Sequence, residues 1–257
     1  MEQPAQPGTR RSAWRWLGLA LGGFALGELV VAVLLPVVAS LQGEQGRLNA
    51  LLHLSAPPAW VDVTELVGLW IGFLVAVLVA SKFDGTGSVV RDMHLRFKRS
   101  DLIVGPAVGL AGQLVLVPLL YLPLIHAVPH LSRRLDEPAH NLTTSFSGGK
   151  IAVLGALTVG VVPVVEELFF RGLLLRSLVV LWGRAGRTAG PVLAIVTTGV
   201  LFGFAHAEPL QLLGLAAFGI VLAVLAYAYD RLGPSILAHA TFNLVAVAAT
   251  SVQGRVH

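Results

Sequence analysis

The chain has 257 residues, of which 55% are hydrophobic and only 12% are charged, and its mean hydropathy is +0.78. A soluble domain carries about a quarter charged residues, so this composition excludes an ordinary water-soluble fold and predicts a polytopic membrane protein. The sequence contains no cysteine, which excludes disulfides, thiolate catalysis and cysteine-ligated zinc.

Seven apolar segments follow a short polar tail, and each is near the ~20 residues that a helix needs to cross a bilayer. They cover 14–39, 63–81, 102–126, 150–182, 189–206, 210–229 and 234–252. Because 150–182 is long enough for two shorter helices, we predict an all-α transmembrane bundle of seven or eight helices. We divide the chain into a disordered basic tail (1–12), N-terminal transmembrane helices (13–149) and a core that carries the polar motifs (150–252).

Basic residues lie in alternate connections between these segments, which sets the predicted topology. They occur in the N-terminal tail, in the 82–100 connection, at Arg184 and Arg187, and at Arg231. The net charge of +4 therefore indicates membrane orientation and not a nucleic acid partner. The positive-inside rule predicts a multi-pass protein of the bacterial cell membrane with a cytoplasmic N-terminus.

Glu166, Glu167 and Arg171 lie within an otherwise apolar run. An ionisable group in hydrocarbon costs roughly 2.5–3.5 kcal/mol on insertion scales, so three in six residues indicate a function. Residues four apart share a helix face, which predicts that Glu167 faces Arg171. Glu166 points about 100° away on the same helix and is free for chemistry.

Two later segments repeat the four-residue spacing, as Phe202-xxx-His206 and His239-xxx-Asn243. Alone, each motif has a plainer interpretation: a structural Glu–Arg clasp, an interfacial histidine, or amide packing between helices. Together they favour a hydrolytic site inside the membrane. In the seven-helix interpretation His206 and His239 lie toward opposite membrane faces, so a shared site requires a broken, tilted or re-entrant helix. Candidate break points are Pro163, Gly172, Gly203, Pro209 and Pro234.

In this order, the three motifs resemble the signature of the CPBP-type intramembrane proteases. That family includes the CAAX prenyl-protein endopeptidases and bacterial relatives linked to bacteriocin processing and immunity. The resemblance covers roughly 150–250, extends through the run VVPVVEELFFRGLLLRSL, and has Asn243 where the family also permits Asp. The resemblance implies an intramembrane endopeptidase of the glutamic type that acts on a peptide or membrane-protein substrate in the lipid bilayer.

The resemblance also implies a role for each motif residue. Glu166 and His206 would activate a water, while His239 and Asn243 would donate hydrogen bonds to the developing oxyanion. Glu167 and Arg171 would hold the helix and tune the field at Glu166, and Phe202 is a supporting residue of the second motif. No covalent intermediate would form.

Other functions stay open at this stage. Two Glu and two His are also zinc ligands, but the chain has no H-E-x-x-H motif, so we predict no cofactor. A catalytically silent protein for self-immunity or partner scaffolding is one alternative, and a proton-coupled transporter is another, although no repeats are visible. Four Gly-xxx-Gly pairs, beginning at Gly18, Gly23, Gly68 and Gly105, favour close helix packing. The sequence leaves the substrate and the oligomeric state open.

Overall fold

The computed structural model describes residues 9–52, 54, 57–128, 131, 135 and 155–253, and within these residues it is helical without strands. We number the helices α1 (Arg10–Leu41), α2 (Leu48–Leu52), α3 (Ala59–Asp84), α4 (Val89–Asp92), α5 (Asp101–Ala111), α6 (Val117–Ala127), α7 (Val162–Glu167), α8 (Leu175–Trp182), α9 (Ala189–Ala205), α10 (Leu212–Tyr229) and α11 (Gly233–Gln253). This confirms the predicted all-helical class.

The start of α1 lies within the predicted tail. Thr9 caps the helix, because its hydroxyl accepts a hydrogen bond from the Ser12 backbone at 3.2 Å and the Ser12 hydroxyl accepts one from the Thr9 backbone at 3.1 Å. This reciprocal capping satisfies donors that the first turn would otherwise leave unpaired. The helix therefore begins at Arg10, and only part of the predicted 1–12 tail precedes it. Residues 1–8 lie outside the described residues.

Within the part of the chain that the structure describes, four helices are long and apolar enough to cross a membrane: Arg10–Leu41, Trp60–Asp84, Asp101–Ile125 and Leu212–Tyr229. Large apolar side chains are exposed along them, including Leu21, Leu29 and Ile103. Exposed apolar surface on this scale requires an apolar surrounding. The helices therefore fit an integral membrane protein. Ala189–Ala205 and Gly233–Ala249 are shorter apolar helices.

Residues 157–182 form one continuous but irregular helical path, which we call the motif helix. A π-helical turn (Leu157–Val161) precedes α7, and a second (Leu168–Leu174) joins α7 to α8. π-helical turns are rare in proteins overall, and those that occur are often found at functional sites. The predicted break points Pro163 and Gly172 lie at the start of α7 and inside the second π turn. They distort the path without dividing it into two helices, while 150–154 lie outside the described residues.

The motif helix forms the centre of the bundle. Every residue from 165 to 178 is buried, and α1, α3, α9 and α11 all pack around it. A helix that is buried on all sides needs no polar face. The charged residues of the first motif are therefore enclosed by protein and do not face lipid.

Three of the four Gly-xxx-Gly pairs lie at helix contacts. Gly23 and Gly27 of α1 interlock with Gly68 and Gly72 of α3, while the pair that begins at Gly105 packs against α11. A Cβ on Gly72 would lie 2.7 Å from the Cα of Gly27, closer than real Cβ contacts permit. Small residues let these helix backbones approach one another.

We expect Gly72→Ala to lower the free energy of unfolding by about 1–3 kcal/mol, because the added methyl overpacks the α1–α3 contact. Gly18→Ala is the matched control, since a Cβ there meets no atom within 4 Å and Ala favours a helix over Gly by up to about 1 kcal/mol. Thermal unfolding of both variants in detergent measures the difference. Equal stability of the two variants would contradict the packing described.

The predicted basic connections meet at one end of the bundle, which we call the basic end. Two contacts join α1 to it: Arg10 donates to the Leu181 carbonyl at 3.3 Å, and Arg15 pairs with Asp84 at 2.6 Å. Elsewhere on this end, Arg231 pairs with Asp101 at 2.6 Å. The 93–100 connection is not a surface helix, because Met93 and His94 are fully buried.

Burial lowers the pKa of His94 from its ordinary value of 6.5, and the Arg176 guanidinium lowers it further. The folded protein therefore releases this proton at a lower pH than the unfolded chain does. As a result, the free energy of unfolding should fall as the pH decreases from 6.5 through the folded pKa.

We expect His94→Gln to remove this part of the acid sensitivity. Unfolding temperatures of both proteins at about pH 7.5 and about pH 5, on either side of the histidine range, measure it. An equally large loss of stability in wild type and variant would show that His94 is not the titrating group.

Candidate active site

Glu166, His206 and His239 come together at the centre of the core. The Glu166 Oε2 atom lies 4.0 Å from Nε2 of His206 and 3.8 Å from Nε2 of His239. Both separations exceed the ~3.2 Å limit of a good nitrogen–oxygen hydrogen bond. Glu166 Oε2 is buried and has no hydrogen-bond partner among the described residues. The three groups thus lie close together and do not bond one another directly.

Glu167 and Arg171 form the predicted contact, with Arg171 Nη1 donating to Glu167 Oε1 at 2.7 Å. Both side chains are fully buried. Arg171 Nη2 also donates to the Gly219 carbonyl of α10 at 2.9 Å. Because this arginine bridges the motif helix and α10, it fixes the position of α10 relative to the glutamate pair.

The Gly219 carbonyl was not predicted from the sequence. Its position depends on close packing of α9 on α10, where a Cβ at Gly219 would lie 2.8 Å from the Gly199 carbonyl oxygen. Gly199 and Gly203 are themselves four residues apart in α9. That spacing was the one available signal that the two helices approach closely.

Glu167 also orients His239. The Nδ1 atom of His239 lies 3.2 Å from Glu167 Oε1, and since a carboxylate accepts, Nδ1 carries the proton. The ring is 3% exposed, and Nε2 points toward Glu166. In the neutral ring Nε2 would be an acceptor, so His239 donates through Nε2 only as an imidazolium.

His206 carries its proton on the opposite side from Glu166. Its Nδ1 donates to the Phe202 carbonyl at 2.8 Å, because a carbonyl accepts. Nε2 is then a lone-pair acceptor that faces Glu166. His206 has the most exposed of the three side chains, at 29%, and it follows the end of α9. The site is therefore open beside His206 and closed beside His239.

Phe202 is the common packing partner of the site. Its ring centroid lies 4.6 Å from that of His206 and 5.5 Å from that of His239. The Arg171 guanidinium carbon lies 4.4 Å above the same ring, a distance typical of cation–π attraction. Phe202 is 1% exposed, so it holds both imidazoles and the arginine in place.

Asn243 bonds to a backbone group of the motif helix and to none of the other motif side chains described above. Its Nδ2 donates to the Thr158 carbonyl, in the first π turn, at 2.9 Å. The four-residue spacing places it on the same face of α11 as His239. One amide hydrogen is used by Thr158, and an amide has two. The predicted oxyanion role of Asn243 therefore remains a prediction that relies on the second hydrogen.

Short and irregular helices explain how His206 and His239 share a site. α9 has 17 residues and rises about 26 Å, which is less than the ~30 Å hydrocarbon thickness. The helix that precedes His206 is therefore shorter than a full crossing of the hydrocarbon layer. Gly203 was predicted as a break point, but α9 continues through it. Gly203 instead packs against Ala216 of α10.

The comparisons with known proteins agree with these motifs. Residues 148–245 match the family model described as type II CAAX prenyl endopeptidase, Rce1-like. The matched segment contains every motif residue from Glu166 to Asn243. The search of the curated proteins and the search of the solved structures found no match. Among the described residues, three long apolar helices precede this segment and a fourth, Leu212–Tyr229, lies within it. Residues 148–245 therefore form an Rce1-like domain of the CPBP/CAAX protease family, which indicates a protease of the membrane.

Proposed function

We propose that this protein is an intramembrane endopeptidase in which Glu166 and His206 activate a water that hydrolyses a peptide bond. The observation that carries the proposal is the position of Glu166 Oε2, which faces Nε2 of His206 at 4.0 Å and Nε2 of His239 at 3.8 Å. A carboxylate and a neutral imidazole that lie close together are the groups that general-base hydrolysis requires.

The separation of Glu166 from His206 suits a shared water. A water can bridge two polar groups that lie more than 3.5 Å apart. Such a water donates one hydrogen to Glu166 Oε2 and the other to His206 Nε2. Its oxygen lone pairs then point away from both groups and toward an incoming carbonyl carbon.

Hydrolysis follows from these positions. The water oxygen bonds to the carbonyl carbon while Glu166 accepts one water proton, and the carbonyl oxygen becomes an oxyanion. Glu166 then returns the proton to the amide nitrogen, the carbon–nitrogen bond breaks, and an acid and an amine leave. The enzyme forms no covalent bond to the substrate, and His206 keeps the water oriented throughout.

We assign the role of oxyanion donors to His239 and Asn243. His239, oriented by Glu167, donates through Nε2 when both ring nitrogens carry a proton, and Asn243 contributes its second amide hydrogen. Preorganised donors of this kind are worth about 3–4 kcal/mol each. Arg171 pairs with Glu167, so it acts on the reaction through the carboxylate that orients His239.

The partners follow from the setting of the site. A buried site among membrane helices suits a peptide or membrane-protein substrate that enters from the lipid bilayer, and no feature of the site suits nucleic acid. We further propose seven membrane-spanning helical paths with the basic end and the N-terminus in the cytoplasm. A silent role in immunity or scaffolding is the alternative function, and it requires no intact catalytic group.

The test is cleavage of a broad peptide library by the purified, detergent-solubilised protein, with and without a chelator. We expect cleavage that persists after chelation, because the proposed mechanism takes its nucleophile from water and its base from Glu166. Cleavage that chelation abolishes and zinc restores would replace the mechanism with a metal-dependent one. If cleavage is absent from a library that includes membrane-anchored peptides, the silent role gains the support.

A further inference from the structure

A polar cavity of about 240 Å³ lies between α8 and α10 toward the basic end. The motif helix contributes Arg171, Arg176 and Val179 to its walls, and α10 contributes Ala226 and Asp230. Both helices pack mainly against α9 rather than against each other. The cavity occupies the space that this arrangement leaves between them.

Arg176 is the residue that makes this cavity unusual. It is 8% exposed, and the hydrogen bond described for it runs from Nη1 to Asp230 Oδ1 at 3.2 Å. Its Nε is buried without a partner among the described residues. A buried guanidinium is costly unless its hydrogens are bonded and its charge is compensated. Arg176 therefore has donor capacity that its protein contacts do not use.

The local charges leave a positive surplus. Asp230 is shared, because its carboxylate lies 3.2 Å from Arg176, 3.8 Å from Arg96 and 3.0 Å from Nδ1 of His94. The remaining cation at the cavity, Arg171, already pairs with Glu167. Among the described residues, two guanidinium groups thus share one carboxylate, and one positive charge is unmatched even with His94 neutral.

The chemistry of the walls selects the ligand class. An arginine fork matches the oxygens of a phosphate, while Leu175, Val179 and Ala226 give the same cavity an apolar wall. Tyr227 also lines the cavity and is 44% exposed. Tyrosine at a helix end is typical of the level of the lipid headgroups, and basic pockets between membrane helices bind anionic headgroups.

We propose that the cavity between α8 and α10 binds an anionic phosphate group through Arg176, supplied by a phospholipid headgroup or by free phosphate. The phosphate completes the charge and the hydrogen bonds of Arg176, and it links α8 to α10 where the protein itself joins them mainly through Arg176 and Asp230. The proposal does not depend on the protease reaction.

The experiment measures ligand-induced stabilisation of the full chain in neutral detergent. The probes are phosphatidylglycerol, phosphatidylcholine and inorganic phosphate, and bound lipid is counted by native mass spectrometry. We expect phosphatidylglycerol to raise the unfolding temperature more than phosphatidylcholine does. Stabilisation by phosphatidylglycerol alone identifies a lipid headgroup, and an equal effect of inorganic phosphate identifies the free ion.

Variants test whether the effect arises in this cavity. Arg176→Gln should weaken binding of the stabilising probe about tenfold, as expected when a charged hydrogen bond is lost. Val179→Phe should also weaken binding, because it fills the cavity and leaves every charge in place. Arg184→Gln is the matched control, since Arg184 is exposed on the same end, and it should bind as wild type does. Absence of a response in wild type, or equal responses in Arg176→Gln and wild type, would overturn the proposal.

Discussion

Replacing Glu166 with Gln should reduce peptide cleavage by about 10²–10⁴-fold, the range that a general base contributes. The amide has the shape of the carboxylate but does not accept the water proton. The folded protein should be as stable as wild type or more stable, because Glu166 Oε2 has no hydrogen-bond partner among the described residues and a neutral amide costs less to bury than a charge.

Cleavage rate and thermal unfolding, measured on the same preparation, separate these two effects. Glu28→Gln is the matched control, because it makes the same chemical change at an exposed position of α1. It should keep wild-type cleavage. A Glu166→Gln protein that cleaves within tenfold of wild type would exclude Glu166 as the base.

Unlike Glu166→Gln, the Glu167→Gln variant should lose much of its stability. Removing one member of a buried ion pair costs about 3–5 kcal/mol, because the other charge is left uncompensated. Here that charge is Arg171, which is fully buried. His239 should also lose the carboxylate that orients its ring, so cleavage falls with stability.

A second variant distinguishes charge from packing. In Glu167→Gln/Arg171→Leu both charges are gone, and replacing a buried pair with apolar residues is often neutral. We expect the double variant to regain most of the unfolding free energy but not the activity. Glu44→Gln is the control, because Glu44 pairs with Arg47 in an exposed i,i+3 pair worth less than about 1 kcal/mol. If the double variant is less stable than Glu167→Gln alone, the uncompensated charge of Arg171 is not the cause of the instability of the single variant.

Regular features of this protein were predictable because they depend on local spacing. Apolar segment lengths placed the helices, and four-residue spacing predicted that Glu167 faces Arg171, which the 2.7 Å contact confirms. The predicted all-helical membrane bundle follows from composition, since backbone groups in lipid must bond within the helix.

Features that depend on contacts between distant segments were not predictable from spacing. The Gly219 carbonyl that binds Arg171 and the Thr158 carbonyl that binds Asn243 are backbone groups, which carry no sequence signal. Proline and glycine indicated where the motif helix would distort, but they did not reveal π turns in a continuous path. The Glu167–His239 contact joins residues 72 positions apart, and it decides which nitrogen of His239 can donate.

The most direct test of a shared water is a double-mutant cycle on Glu166 and His206. Two groups that act on one water lose their effect together, so their losses do not add. Cleavage rates of Glu166→Gln, His206→Gln and the double variant give the comparison. We predict that the double variant cleaves about as slowly as the slower single variant. If the two losses multiply, the groups act independently and the shared-water mechanism is contradicted.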